Sequence, residues 1–384
     1  MVPPRPAVDA LAAYAPGEQP RGGGWVKLNT NELPFPPPPS AVAAIEAAAR
    51  DRLNRYPDPT GLAFREAAAA KLGLPGPDWA LPGNGSDEIL TLLIRAFCES
   101  RDGGPSSAGT GGDLIASPYP TYTLYRTLAE IQNCRFEPVP LSADWRWDWD
   151  RVEDVRRRAK LLFVPVPNSP SGTVWDAATL AGLVPDDGLL VIDGAYCDFH
   201  DPRLGVDLLL GDGFPGDLGD RVVLTRTLSK GYGLAGLRIG YAAARPAVIA
   251  ALAKVKDSYN CDALALAGGA AALADGAWME ETRRTIVAER DRLTAALAEL
   301  GFRVEPSGGN FVFVTHPDGD HRGRFERLRE RRVLVRYFTF DGWAGGPDAL
   351  RITVGAPAET DALLEGLRAF GSPRPARAGD MSPA

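Results

Sequence analysis

The run TRTLSKGYGLAGLRIG, residues 225–240, decides the fold. Two readings compete for it. Gly231, Gly233 and Gly236 match the spacing of a dinucleotide-binding fingerprint, the run follows an apolar strand, and Asp257 lies about twenty residues further on. That fingerprint must open a helix packed on the first strand of a βαβ unit. Here Gly236 leads straight into another apolar stretch, GLRIGYAAA (236–244), so the context does not fit. In the second reading Lys230 stands at a strand exit, with Ser229 before it and Arg238 eight residues later. A lysine on a loop beside a hydroxyl and a guanidinium suits a Schiff base to a phosphate-bearing aldehyde, with Ser229 and Arg238 holding the phosphate. Taken alone, the run also fits a surface lysine in a glycine-rich loop.

Outward from this run, apolar strands are read at 113–118, 160–167, 188–196, 221–227 and 236–244, with helices at 121–132, 150–159, 176–183 and 246–256. A further helix runs from Ser86 to about Glu99. Strand–helix alternation with nearly continuous Val/Ile/Leu runs predicts an α/β fold with a mostly parallel sheet covered on both faces. Upstream, Ser40 is read as the N-cap of a helix at 41–53 and Thr60 as that of a helix at 61–72, with Gly73 as its stop. Past 262 the pattern changes to a long helix (263–300), strands at 302–305, 310–315, 333–338 and 349–354, and helices at 322–331 and 358–369, a smaller α+β domain. The expected division is an arm (1–39) that joins the small domain, a large domain (40–262), a small C-terminal domain (263–371) and a disordered tail (372–384). Ser106–Gly112 reads as a flexible loop. In DWRWDWD, Trp145, Trp147 and Trp149 alternate, which fits an aromatic binding surface or, our preference, an extended segment packed on the body.

The 384 residues are 45% apolar and 24% charged, which excludes a disordered chain. The net charge of −7 gives no basic stripe for nucleic acid, and the arginines of 156–158 and 329–332, set among acidic and apolar residues, read as solvated helix faces. The longest apolar run, near 263–274, is stopped by Asp275 and falls short of the roughly 18 residues of a membrane span. MVPPRPAVDA lacks the pattern of a signal peptide. Cys98, Cys134, Cys197 and Cys261 make no CxxC pair, which fits a reducing cytoplasm and argues against a metal site. With only His200, His316 and His321 available, a proton-transfer residue is expected to be something other than histidine.

Other segments converge on the lysine. LPGNGSDEIL (81–90) sets Gly83, Gly85 and Ser86 before a helix, whose free N–H groups and dipole favour an anion, although an ordinary capped helix start reads the same way. LLVIDGAY ends an apolar strand on Asp193, where a carboxylate needs a cationic or hydrogen-bonding partner, a pyridinium nitrogen among them. PVPNSPSGT puts Asn168 just after another strand, as a common turn would also do. Arg351 sits amid apolar residues in LRITVG and calls for an anion, a substrate carboxylate or an internal partner.

With YAPGE (14–18), KLNTNELP (27–34), RYPDPTG (55–61), YPTYTLY (119–125), GGNFVF (308–313) and VLVRYF (333–338), these segments resemble the histidinol-phosphate aminotransferase family, fold-type I enzymes that use pyridoxal 5'-phosphate. The resemblance runs from about Tyr14 to about Leu367. It implies a Schiff base on Lys230, Asp193 on the pyridinium nitrogen, Tyr196 and Asn168 on the phenolic oxygen, and Tyr122 stacked on the ring. It further implies that Gly85, Ser86, Asp87, Thr227, Ser229 and Arg238 hold the cofactor phosphate, and that Tyr14, Asn31, Arg336 and Arg351 face the substrate. Tyr56 would reach the phosphate of a neighbouring subunit's cofactor, which implies a homodimer. The activity implied is transfer of the amino group of L-histidinol phosphate to 2-oxoglutarate, in histidine biosynthesis. An aromatic amino acid aminotransferase and a phosphothreonine decarboxylase share this logic; a nicotinamide-dependent oxidoreductase rests only on the three glycines. The chain departs from the family's common Asn-Glu-Asn-Pro in having Asn31-Glu32-Leu33-Pro34, and the stretches 101–112 and 211–220 look like insertions.

Overall fold

A computed structural model describes residues 2–9, 11, 17–51, 53–101, 111–214 and 216–369. The loop expected at 106–112 lies mostly outside these, and the tail expected at 372–384 wholly so. The arm supplies β1 (Val26–Lys27). The large sheet then takes β2 (Ala80–Gly83), β3 (Leu114–Tyr119), β4 (Arg135–Pro140), β5 (Ala159–Pro165), β6 (Leu189–Asp193), β7 (Val222–Thr227) and β8 (Gly240–Ala244). Its order is β2-β8-β7-β6-β5-β3-β4. Only β8 runs against its neighbours. The expected mostly parallel α/β sheet is thus present, and the nearly all-buried β6 and β7 explain its apolar runs.

Two strands escape a reading by apolar runs, and they are the two edges. β2 carries Pro82 and β4 carries Pro138 and Pro140, residues an edge strand tolerates because one side needs no donor. The strand read at 236–244 starts only at Gly240, because Ala235–Leu237 form a 3-10 turn and Arg238 is left-handed (φ 54°). Neither expected N-cap holds. The helix Pro39–Arg50 starts two residues early, with Pro38 at the N-cap position, and the Ser40 hydroxyl donates instead to Asp275 at 2.7 Å. At the helix Leu62–Leu72 it is Asp58, not Thr60, whose carboxylate accepts from the Leu62 N–H (2.8 Å). Gly73 does end that helix, at φ 68°.

The long helix read at 263–300 is two helices, Ala263–Ala274 and Gly276–Glu299. Asp275 breaks it by turning its side chain onto the Trp278 N–H (3.2 Å), a cap in mid-run. Ala263–Ala274 packs on the helices Pro39–Arg50 and Leu62–Leu72, where Gly268 meets Ile45 and Gly269 meets Phe64. We propose this break, rather than 262, as the boundary between the two halves. The second half holds an antiparallel sheet, order β12-β13-β10-β9, from β9 (Arg303–Glu305), β10 (Phe311–Thr315), β12 (Arg336–Thr339) and β13 (Asp348–Thr353). The strand read at 333–338 is split: Val333 and Leu334 form β11, parallel to β1, and Arg336 begins β12. Leu28 of the arm is buried in the same core as Ile286, Val312, Ile352 and Leu363.

Trp145 and Trp147 are buried and Trp149 exposed. Trp145 packs on Trp343 (4.3 Å between rings) and Phe313 (5.3 Å), Trp147 on Trp175, so the run joins the two sheets' surroundings rather than offering a binding surface. No helix among the described residues is long and apolar enough to cross a membrane.

Phe163 in the middle of β5 is fully buried and stacks on Tyr125 at 5.0 Å. Phe163→Ala should cost about 3–5 kcal/mol, read as a lowered midpoint in urea; an unchanged midpoint would mean that the sheet does not bear on this ring.

Candidate active site

Five strands deliver their carboxyl ends to one edge of the large sheet, the edge where open parallel sheets bind ligands. β2 leads into the helix Gly85–Phe97, β3 into Tyr122, β5 into Asn168, β6 ends on Asp193, and β7 on Thr227 just before Lys230. The residues picked from five separate segments therefore meet because the topology brings strand ends together.

Asp193 is buried. Its carboxylate accepts from the Tyr125 hydroxyl (2.7 Å), the Thr225 hydroxyl (3.0 Å) and the Ala195 N–H (3.2 Å). Burial pushes its pKa up, and these donors only partly offset that. Tyr125 keeps its proton, since burial and the adjacent carboxylate raise its own pKa far above the usual value. The ring of Tyr122 meets Tyr125 edge-on at 5.6 Å, and its hydroxyl donates to Asp87 (3.4 Å).

The helix Gly85–Phe97 aims its N-terminus at Arg238. Arg238 reaches Asp87 (3.6 Å) and donates to the Ser229 hydroxyl (3.3 Å), while the Ser229 N–H donates to the Thr227 hydroxyl (3.2 Å). The closeness depends on glycine: a Cβ on Gly240 would lie 2.6 Å from the Ser86 nitrogen, and one on Gly85 2.7 Å from the Arg238 guanidinium. A ring of N–H, hydroxyl and guanidinium donors at a helix start is an anion cradle.

Lys230 Nζ donates to the Thr30 carbonyl of the arm (2.9 Å) and lies 5.9 Å from the centre of the Tyr196 ring. Burial lowers its pKa and Arg351 adds to this, while Tyr196, Glu32 and Asp87 act the other way. The Tyr196 hydroxyl accepts from Asn31 Nδ2 (3.0 Å). Asn31, itself left-handed (φ 56°), is tied to the Thr353 hydroxyl through its N–H and its side chain, both at 3.0 Å. Asn168 holds the loop, bonding to Thr121 (2.9 Å), Ser171 (3.0 Å) and the Pro120 carbonyl.

Arg336 and Arg351 are partners across β12 and β13, and both guanidiniums lie over the Phe338 ring, at 5.8 and 5.3 Å. Arg351 also donates to Ser169 (3.0 Å) and the Asn29 carbonyl (3.2 Å). Two cations around one ring make a locus for an anion. Tyr56 stands apart from this constellation, 79% exposed and stacked on Tyr259 at 4.3 Å. Tyr14 lies outside the described residues.

Reading by motif passed over Tyr125, Thr225 and Asp198. The first two had a signal: Tyr125 sits three residues after Tyr122, the spacing of one face in the helix expected at 121–132, and Thr225 two residues before Thr227, on the same strand face. Asp198 had none. It lies buried beneath the lysine loop, where a Cβ on Gly231 would run into its carboxylate. Burial pushes its pKa to about 6 against the pull of Arg226 and Lys71. A raised carboxyl contributes its stability below about pH 4 and loses it as pH rises through about 6. The stability of the wild type relative to Asp198→Asn should therefore fall by about 3 kcal/mol between pH 4 and 7 in urea titrations; a flat difference contradicts the assignment.

The model of the family described as aminotransferase class I and II matches residues 23–367. The histidinol-phosphate aminotransferase of Rhodopirellula baltica is 45% identical over 361 residues, spanning 94% of this chain and 93% of the relative. That of Geotalea uraniireducens is 41% identical over 375 residues, spanning 97% and 100%. The solved histidinol-phosphate aminotransferase from Sinorhizobium meliloti, in complex with pyridoxal-5'-phosphate, is similar with a TM-score of 0.79 at 27% identity, covering 95% of this chain and 97% of that one. With matches of this extent and a site of this composition, the chain belongs to the class I and II aminotransferases, among the histidinol-phosphate aminotransferases.

Proposed function

We propose that this protein transfers the amino group of L-histidinol phosphate to 2-oxoglutarate, giving imidazole-acetol phosphate and L-glutamate, with pyridoxal 5'-phosphate as cofactor. The observation that carries the substrate reading is the pair Arg336 and Arg351 across one register position, in addition to the separate anion cradle at Arg238. A cofactor with one phosphate accounts for the cradle. A second anionic locus suits substrates that carry a phosphate in one half-reaction and a carboxylate in the other.

The cofactor's three demands fit residues present here. A buried carboxylate raised by burial is stabilised by a cationic ring nitrogen, which favours the charged form of Asp193. Tyr125 and Thr225 hold that carboxylate in place. Gly85, Ser86, Asp87, Thr227, Ser229 and Arg238 would hold the phosphate, Tyr122 the ring face, and Asn168 and Tyr196 the phenolic oxygen. When bound, the cofactor supplies a carbonyl for the substrate amine and an electron-withdrawing ring. Lys230 then moves the proton at the substrate Cα. Its lowered pKa keeps a larger fraction of the amine free to accept that proton near neutral pH. Asn31 fixes the Tyr196 hydroxyl, and Arg336, Arg351 and Tyr14 orient the substrate.

We also propose a homodimer. Tyr56 and Tyr259 form an exposed aromatic stack that suits a partner subunit. Tyr56 would then serve the neighbouring cofactor's phosphate. The four cysteines are buried and free, Cys98 and Cys134 being hydrogen-bonded neighbours, which supports residence in the cytoplasm.

Lys230→Ala should lower kcat by about 10²–10⁴-fold in steady-state assays, and retention of full turnover would sink the mechanism. Arg336→Ala should raise KM for histidinol phosphate about 10–100-fold, with a much smaller effect on dephosphorylated histidinol. Equal effects on both would move the substrate towards an aromatic amino acid.

A further inference from the structure

The arm meets the lysine through an ionic cluster. Lys27 donates to the Thr30 hydroxyl (2.9 Å) and pairs with Glu32, and the Thr30 hydroxyl donates to Glu32 (2.8 Å). The carbonyl of the same Thr30 accepts from Lys230 Nζ (2.9 Å). That carbonyl is clamped on both sides. Asn29 is held by its side chain to the Glu18 carbonyl (2.9 Å), and the Asn31 carbonyl accepts from Asn310 (3.1 Å). Burial opposes ionisation of Glu32, but the bonds from Lys27 and Thr30 outweigh it and hold its pKa below the usual value.

Resting on the role of Lys230 given above, we propose that Lys27, Thr30 and Glu32 are positioning residues for the Lys230 amine. They hold the Thr30 carbonyl as its docking point whenever the amine is not bonded to carbon, and the Lys27–Glu32 pair sets the charge balance that decides whether it carries a proton. Among the described residues, the charged and titratable groups that act most strongly on Lys230 are Tyr196 from the sheet edge, Arg351 from β13, Glu32 from the arm and Asp87 from the helix Gly85–Phe97. The arm brings a cation and an anion together, with a hydroxyl bridging them. Removing either partner therefore unbalances the field in a known direction. Without Glu32, Lys27 is left uncompensated and the amine gives up its proton more readily. Without Lys27, Glu32 is left uncompensated and the amine keeps its proton longer.

The test reads the amine directly, in the full-length chain before any cofactor is added. Competitive acetylation with acetic anhydride across pH, with the Lys230 peptide quantified by mass spectrometry, gives the midpoint for proton loss. Glu32→Gln should lower that midpoint by about one pH unit, Lys27→Met should raise it by about as much, and the double variant should return towards the wild type. Should Glu32→Gln fail to fold, the rise after Lys27→Met alone carries the proposal. Midpoints that stay with the wild type, or that move in the same direction, overturn it. Titration of the same samples with pyridoxal phosphate separates this from the underlying reading: absence of any new near-visible absorption in the wild type overturns both, whereas absorption with unmoved midpoints overturns the positioning role alone.

Discussion

Asp193 places a carboxylate inside an apolar sheet, where charge is costly unless it meets donors or a cation. Most of the site is arranged around that cost. Tyr125 and Thr225 donate to it, Tyr125 stacks on Phe163, and Tyr122 packs edge-on against Tyr125. These contacts leave the pKa of Asp193 still raised, so the group favours a cationic partner. A pyridinium nitrogen is such a partner, which ties the electrostatics of one residue to the choice of cofactor.

The other end of the cofactor site depends on backbone approach rather than charge burial. Gly240 lets β8 pass close to the Ser86 nitrogen, and Gly85 leaves room for the Arg238 guanidinium. Between these two ends Lys230 is held by the arm, whose Asn31 and Leu28 are anchored in the second half of the chain. The amine thus takes its position from one half and its environment from both. Arg336 and Arg351, partners on the small sheet, would add an anion locus that the cofactor does not require.

Much of this could be read in the sequence, and the exceptions have physical causes. The central strands announce themselves because both of their faces are buried, leaving unbroken apolar runs such as LLVID. The edge strands do not: β2 and β4 carry prolines that only an edge tolerates, and those same residues read as loops. The helix at 263–300 looked continuous because Asp275 is also compatible with a helical surface, and only its bond to the Trp278 N–H shows it to be a cap. Ser40 and Thr60 have the right chemistry for caps, but a tertiary partner takes the first and Asp58 outcompetes the second. In the site, residues at strand ends were legible because their segments carry motifs. Tyr125 and Thr225 were visible only as helical and strand-period neighbours of residues already chosen. Asp198 was not visible at all, since nothing local says that residue 198 folds beneath residue 231.

We propose that one amine, Lys230, and one carboxylate, Asp193, support amino transfer from a phosphorylated donor. The most direct measurement is the absorption spectrum of the purified, cofactor-loaded protein titrated with L-histidinol phosphate in the absence of any keto acid. Loss of the near-visible cofactor band with stoichiometric gain of the pyridoxamine phosphate band is the result this account predicts. A band that ignores histidinol phosphate yet responds to phenylalanine would contradict the substrate, and a protein that acquires no band with pyridoxal phosphate would contradict the roles of both residues.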